Sequence, residues 1–418
     1  MWDSFTTSVG LRHLRFGFAQ TLLAMGVVVI SVTLIIYLSS LIGGLQKRLI
    51  TTVTGAIPQI VISPPEREPV PPGQVGPFSK SGKLYIGRIP TLEQRKRKIE
   101  DWRRWLPVLE RFDPQITAVS PVVEGDGILS RGEKRYAVAI TGVIPARANK
   151  VVEIQSRLVK GRFLSLRPNE VALGYRIIDE LNLRIGDKVR LTSSEGVSGS
   201  YTIAGIFDTG FQAVDSRTAF IILRDAESLF GLERAVTSID LRLRDVFQAD
   251  EISRRLRLQV PYDVDSWMTE NQALLSALRT QTMSSMLILA FTTIAAGFGI
   301  ASILITSITS KLREIGILKA MGATRNQILG IFTFESTLLA TIGGIVGAGV
   351  GIAISLLTYR LRVSMSPTGR REEVFPIDLR LETVLGAVAV AIAVGFLASL
   401  YPSWRASKVN PIEVIRGQ

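Results

Sequence analysis

The chain has 418 residues, 47% of them hydrophobic and 20% charged, with a formal net charge of +13, one histidine and no cysteine. A disulfide framework and a Cys-containing metal site are excluded, and the lone His13 beside the N-terminal apolar run offers neither a His-based triad nor a His/Cys metal site. The positive charge invites a nucleic-acid reading, but Arg12, Arg15, Lys47, Arg48, Lys311, Arg313, Arg360, Arg362, Arg405 and Lys408 all flank apolar runs. Contact with anionic lipid head groups explains them more simply, so no nucleic-acid partner is expected.

In chain order, residues 8–20 read as an interfacial helix within segment 1–20, with Leu11, Leu14 and Phe18 on one face and Arg12 and Arg15 off it. Four runs, 21–45, 282–310, 331–358 and 381–403, are long enough to cross a hydrocarbon core, which needs about 20 apolar residues. The first exceeds a signal-peptide h-region, and no clear small-residue cleavage site follows it, which favours an uncleaved span. Basic residues do not orient the spans: nine flank the side of the termini and eight the other side.

Residues 46–281 have ordinary polar composition and read as an α+β insert between the first and second spans. Residues 58–63 predict a strand, and proline and glycine exclude regular structure from 64–83, a surface loop or a partner-binding arm. A helix is expected from Thr91, with Thr91 and Gln94 as a capping box and Ile99, Trp102, Leu106 and Leu109 as its apolar stripe. Pro107 should kink or restart that helix, and its basic run 95–98 reads as a solvated face.

Strand patterns follow at 115–123, 135–143, 169–174, 187–193, 201–207, 218–223 and 238–245, with helices at 175–181, 225–230 and 246–258. Residues 151–233 are expected to form a second subdomain inserted into the first. Residues 127–134 approach a phosphate-loop pattern, but Glu133 stands where the lysine belongs and Arg135 follows it, so a tight turn between strands accounts for the glycines better.

Segment 311–330 is too charged to span a membrane, with Arg313, Glu314, Lys319 and Arg325 interrupting it. Ile315, Leu318 and Met321 recur at helical spacing and Gly322 suits a helix C-terminus, so a short amphipathic helix is expected there. In the third span Gly343, Gly347 and Gly351 are spaced by four and predict close helix packing. Glu335 stands about one turn inside that span, where a carboxylate either snorkels to the interface or faces a cavity or partner. Segment 359–380 is a short loop and 404–418 a tail.

The stretches 310–328 and 335–351, together with the ending 401–417, resemble the permease subunits of MacB-type ABC transporters, the superfamily with an FtsX-like permease domain. Within it the insert resembles the lipoprotein-releasing LolC/LolE type, on residues 161–191, 211–231 and 239–245 with Trp267 and Asn271. The proline-rich stretch is an addition relative to that pattern.

The resemblance implies that the termini and segment 311–330 are cytoplasmic, the insert is periplasmic, and the chain sits in a bacterial inner membrane. Residues 313–324 would be a coupling helix on a separate ATPase dimer, carried by Arg313, Glu314, Ile317, Lys319, Met321, Gly322, Ala323 and Thr324, with Arg405 and Pro411 as a second contact. ATP and Mg²⁺ would belong to that partner and no cofactor to this chain. A second permease chain, identical or related, and a periplasmic carrier or adaptor are further implied partners. The cargo would be a lipoprotein or another amphipathic molecule. The alternatives are an efflux permease with a membrane-fusion adaptor and a non-transport protein that activates a cell-wall hydrolase.

Overall fold

The computed structural model describes residues 18–65, 98–363, 372–373 and 375–408. Residues 1–17 of the predicted interfacial helix, most of the proline-rich stretch, the capping box at Thr91 and Gln94, and Pro411 lie outside them. The chain forms two compact units, one of Met1–Leu49 with Ser276–Gln418 and one of Ile50–Leu275.

The chain opens with helix α1 (Phe18–Ala56), then β1 (Ile60–Ser63), α2 (Trp102–Phe112), β2 (Ile116–Arg131), β3 (Lys134–Val143) and α3 (Pro145–Val151). There follow β4 (Leu158–Gly161), β5 (Glu170–Gly174), α4 (Tyr175–Leu181), β6 (Lys188–Ser193), β7 (Ser198–Phe207) and α5 (Gln212–Asp215). The insert ends with β8 (Thr218–Ile222), α6 (Leu223–Leu229), β9 (Ser238–Leu243), α7 (Ala249–Arg257), β10 (Asp263–Ser266) and α8 (Trp267–Glu270). The second long helix is α9 (Gln272–Ser310); α10 (Leu312–Ala320) and α11 (Arg325–Tyr359) follow. A two-residue pair, β11 (Arg362–Val363) and β12 (Glu372–Glu373), precedes α12 (Leu381–Ser407).

The insert is organised by β2, whose 16 residues span roughly 50 Å at the usual strand rise. Its first half pairs antiparallel with β9, β9 with β1, and β1 with β10. Its second half pairs with β3 on one edge and β6 on the other. From β3 the pairing runs on to β8, β5 and β7, then returns through β6 to β2, closing a ring of six strands. Alternate positions fill one core, as period-2 side-chain alternation requires: Val138 and Ile140, Val171 and Leu173, Val189 and Leu191 are all buried. Each such side chain contributes about 1.5–3 kcal/mol through burial.

This geometry revises the expected subdomain at 151–233. The ring cannot close without β2 and β3, which precede residue 151, so these residues share a sheet with the rest of the insert. The β2–β3 hairpin turns on Gly132 and Glu133, with Gly132 at φ +60°, so the apparent phosphate-loop glycines do belong to strands and a tight turn. Helix α2 buries Trp102, Leu106 and Leu109 but runs on through Pro107. Pro107 is on the exposed face, where water can satisfy the carbonyl it leaves free. Ile99 is off the helix, in a bridge to Val236.

Among the described residues four helices are long and apolar enough to cross a membrane: Thr21–Ala56, Gln272–Ser310, Arg325–Tyr359 and Leu381–Ser407. They outrun the apolar segments of the sequence, because hydrophobicity marks the part that lipid requires while backbone hydrogen bonding continues past it. Gly343, Gly347 and Gly351 of α11 lie against α1. A β-carbon on Gly347 would stand 2.8 Å from the carbonyl oxygen of Val29 and 3.0 Å from Cβ of Val32. Thr33 Oγ1 donates to the Gly347 carbonyl oxygen at 3.0 Å, which the missing side chain makes possible. On another face of α11, Ser336 Oγ donates to the carbonyl oxygen of Gly395 on α12 at 2.9 Å.

Substituting Gly347→Leu should therefore force α1 and α11 apart and lower the melting temperature of the detergent-solubilised protein by several degrees, a cost of about 1–3 kcal/mol. Gly349→Leu, whose β-carbon meets nothing within 4 Å, should leave it unchanged.

The insert also carries an acidic row. Asp240 on β9 faces Val61 on β1, which faces Asp265 on β10, with Glu124 and Glu270 near enough to repel Asp240. Burial pushes the Asp240 carboxyl up to about 8, Glu124 and Glu270 add to the rise, and the hydrogen bond from Ser238 opposes it. An unfolded aspartate titrates near 3.9, so between about pH 4 and 8 the folded chain binds the extra proton. Stability is favoured below that window and falls as pH rises through it. Asp240→Asn should flatten this pH dependence and raise the melting temperature near pH 8.5; an unchanged pH profile would contradict the assignment.

Candidate functional site

Segment 311–330 folds as a short helix followed by a built turn into α11. Helix α10 buries Ile315 and Gly316 and shares a cluster with Ile308, Ile328, Ile331, Phe332 and Ala406. Its C-terminus closes on Gly322, at φ +101°. Gly322 N–H donates to the Lys319 carbonyl oxygen at 3.1 Å and Ala323 N–H to that of Leu318 at 3.0 Å, the paired bonds of a Schellman motif. Leu318 and Ala323 pack on the same cluster, supplying the motif's apolar contact. Thr324 then caps α11 in a reciprocal box with Gln327. Thr-x-x-Gln before an apolar run is the sequence signature of that box.

Met321 corrects the expected stripe. Ile315 and Leu318 face inward, whereas Met321 is 81% exposed because the chain turns away just after it. The outward face of α10 and its turn carries Arg313, Glu314, Ile317 and Met321, all exposed, with Ile317 at 51%. Two large apolar side chains thus stand among charges beside a rigid turn.

Lys319 points instead to α12, its Nζ donating to the Ser407 carbonyl oxygen at 2.8 Å. A cation there satisfies a terminal carbonyl and complements the negative end of that helix. Desolvation, with Arg325 adding to it, holds the Lys319 ammonium below its ordinary pKa. Arg405 is exposed on the last turn of α12, and Lys408 Nζ lies 3.5 Å from the Trp404 ring centroid. The structure therefore brings α10 and the end of α12 together, and Arg405 lies on that end.

Glu335 lies ten residues inside α11, about 15 Å from its start. It is 4% exposed, and its Oε1 is 4.0 Å from Lys311 Nζ at the α9–α10 junction. The carboxylate faces into the bundle instead of snorkelling. It lines a small cleft with Val28, Ile300, Leu304, Ser307 and Ser336. Lys311 was missed as its partner, since only the fold-back of α10 brings the two residues together.

Among the described residues no group of three or more His, Cys, Asp or Glu side chains is arranged to hold a metal ion. What the arrangement offers chemically is a presented helix face and a buried ion pair behind it.

Residues 21–258 match the MacB-like periplasmic core domain family, and residues 286–411 match the FtsX-like permease C-terminal family. The chain is 26% identical to the lipoprotein-releasing system transmembrane protein LolC of Neisseria meningitidis, over 98% of each chain. It is 25% identical to LolC of Xylella fastidiosa, over 80% of this chain and 85% of that one. It is 28% identical to the macrolide export ATP-binding/permease protein MacB of Bdellovibrio bacteriovorus, over 72% of this chain and 47% of that one.

Proposed function

We propose, from the premise that this chain belongs to the FtsX/MacB-like permease family, that it couples ATP hydrolysis on a separate subunit to the release of a lipid-anchored cargo. It is an ABC permease, a multi-pass membrane protein with a MacB-like periplasmic domain. Neither matched segment is an ATPase domain. Hydrolysis, with its ATP and Mg²⁺, then falls to a partner ATPase dimer, and a second permease chain completes the assembly. Residence in the bacterial inner membrane follows from the same reading.

The observation that carries the ATPase contact is the outward face of α10. Exposed Ile317 and Met321 can fill apolar hollows on a partner, and Arg313 and Glu314 can form charge-assisted hydrogen bonds at its rim. The opposite face is packed on Ile328, Phe332 and Ala406, so a push on α10 is transmitted to α11 and α12. Ala323 and Thr324 set the turn, Arg405 adds a contact from α12, and Pro411 is proposed to extend it.

The cargo reading rests on the two LolC relatives, which match this chain over most of its length. Similarity to MacB favours a second reading, an efflux permease for small molecules or peptides that works with an adaptor.

Glu314→Lys and Gly322→Leu should each insert and express normally yet reduce cargo release per ATP at least five-fold. Gly322→Leu acts through the turn, because leucine is strained at φ +101°. Normal export in both variants would discard the coupling role. Depletion of the protein should leave lipoproteins in the inner membrane. Unimpaired release, with co-purification of a membrane-fusion adaptor, would favour the efflux reading instead.

A further inference from the structure

Helix α1 is 39 residues long, about 58 Å at 1.5 Å per residue, against roughly 30 Å of hydrocarbon. Its last two turns, from Ile50, belong to the compact unit of the insert. Thr52 and Gly55 are three residues apart and share one side of those turns. Thr52 faces Gly210 in the loop that joins the ring strands β7 and β8, and Gly55 faces Arg157, the residue before β4. A β-carbon on Gly55 would stand 3.3 Å from Nη2 of Arg157, and one on Gly210, at φ +76°, would stand 3.7 Å from Cγ2 of Thr52.

Arg157 grips that loop twice. Its Nη1 donates to the Thr209 carbonyl oxygen at 2.9 Å, and its own carbonyl oxygen accepts from Asp208 N–H at 2.9 Å. The loop has little freedom to yield. Thr209 N–H and Oγ1 both donate to Asp215 Oδ1 at 2.8 Å, and Asp215 is buried, with its carbonyl against Gly174 of β5. The guanidinium sits beside the C-terminal end of α1, where the helix dipole favours a cation. Val53, on the same two turns, is buried in the core cluster with Ile60 and Ile62.

We infer that Arg157 is a positioning residue that clamps the extramembrane end of α1 to the ring of strands, so that helix end and ring move as one body. The inference rests on the permease reading only for its consequence in transport; the clamp itself belongs to this chain. Gly55 matters because a side chain longer than alanine would displace the guanidinium, whose Nη2 stands 3.3 Å from the place of a β-carbon. Thr209 supplies the carbonyl that fixes it.

The absence of cysteine allows spin labels at two introduced sites, Thr51→Cys on α1 and Ser194→Cys in the β6–β7 turn. In the full-length complex the label pair should give one narrow distance distribution, the same with and without a non-hydrolysable ATP analogue. Arg157→Ala should broaden it at least two-fold, and Arg157→Lys, which can still donate to Thr209, should recover most of the narrowing. Gly55→Leu should broaden it too, although leucine favours the helix itself, while Gly55→Ala should not. Release of a lipid-anchored reporter protein from proteoliposomes should fall at least five-fold in Arg157→Ala at unchanged basal ATP hydrolysis.

An equally narrow distribution in Arg157→Ala and Gly55→Leu, or a wild-type distance that moves with nucleotide, overturns the clamp. Equal loss of basal hydrolysis and release in Arg157→Ala and Arg157→Lys also overturns it, since that marks a general structural defect. If the wild-type chain associates with no ATPase, the permease reading fails, while the distance measurement on the chain alone still decides the clamp.

Discussion

The bundle depends on the close approach of α11 to α1. Without a hydrophobic drive between helices in lipid, association rests on van der Waals contact and on hydrogen bonds between helices. Gly343, Gly347 and Gly351 supply the first by letting the backbone of α1 lie almost against that of α11. Thr33 supplies the second, reaching a carbonyl that a side chain at Gly347 would cover. Helix α11 also holds α12 through Ser336 and Gly395, and Lys311 through Glu335. Helix α9 adds its own contacts, Gly299 against Val27 of α1 and Gly297 against Val394 of α12.

The same helix explains why segment 311–330 is ordered. Its cap at Thr324 and the Schellman turn at Gly322 leave α10 no slack, and Ile328, Ile331 and Phe332 hold its inner face. A buried ion pair is weak evidence for stability, and setting a register is its best-attested use. Lys311 and Glu335 pin the α9–α10 junction to α11 in this way. A face presented from so rigid a base would pass a displacement on to the spans, as the proposed coupling to a separate ATPase requires.

Much of this was legible in the sequence where the cause is local. Four apolar runs announced four spans, because lipid demands a minimum apolar length whatever the packing. Period-2 and 3.6 patterns placed most strands and helices of the insert, and Gly322 announced a helix end. Non-local geometry was not legible. The ring of strands is closed by β2–β6 and β3–β8 pairings that no local pattern encodes, and so residues 151–233 looked separable. Met321 fitted the apolar spacing of α10 but stands at its C-cap, just before Gly322 turns the chain away. Arg157 reads as one more surface arginine until the fold brings it to Gly55, about a hundred positions earlier in the chain.

The central claim, that α10 presents Ile317 and Met321 to an ATPase, is tested most directly by cross-linking. A single cysteine at Met321, treated with a short thiol-to-amine reagent in the purified complex, should yield a permease–ATPase adduct whose amount changes on nucleotide binding. The same reagent on a cysteine at Ser194, in the insert, should yield none. An adduct from Ser194 and none from Met321 would place the ATPase on the other side of the membrane and contradict the account.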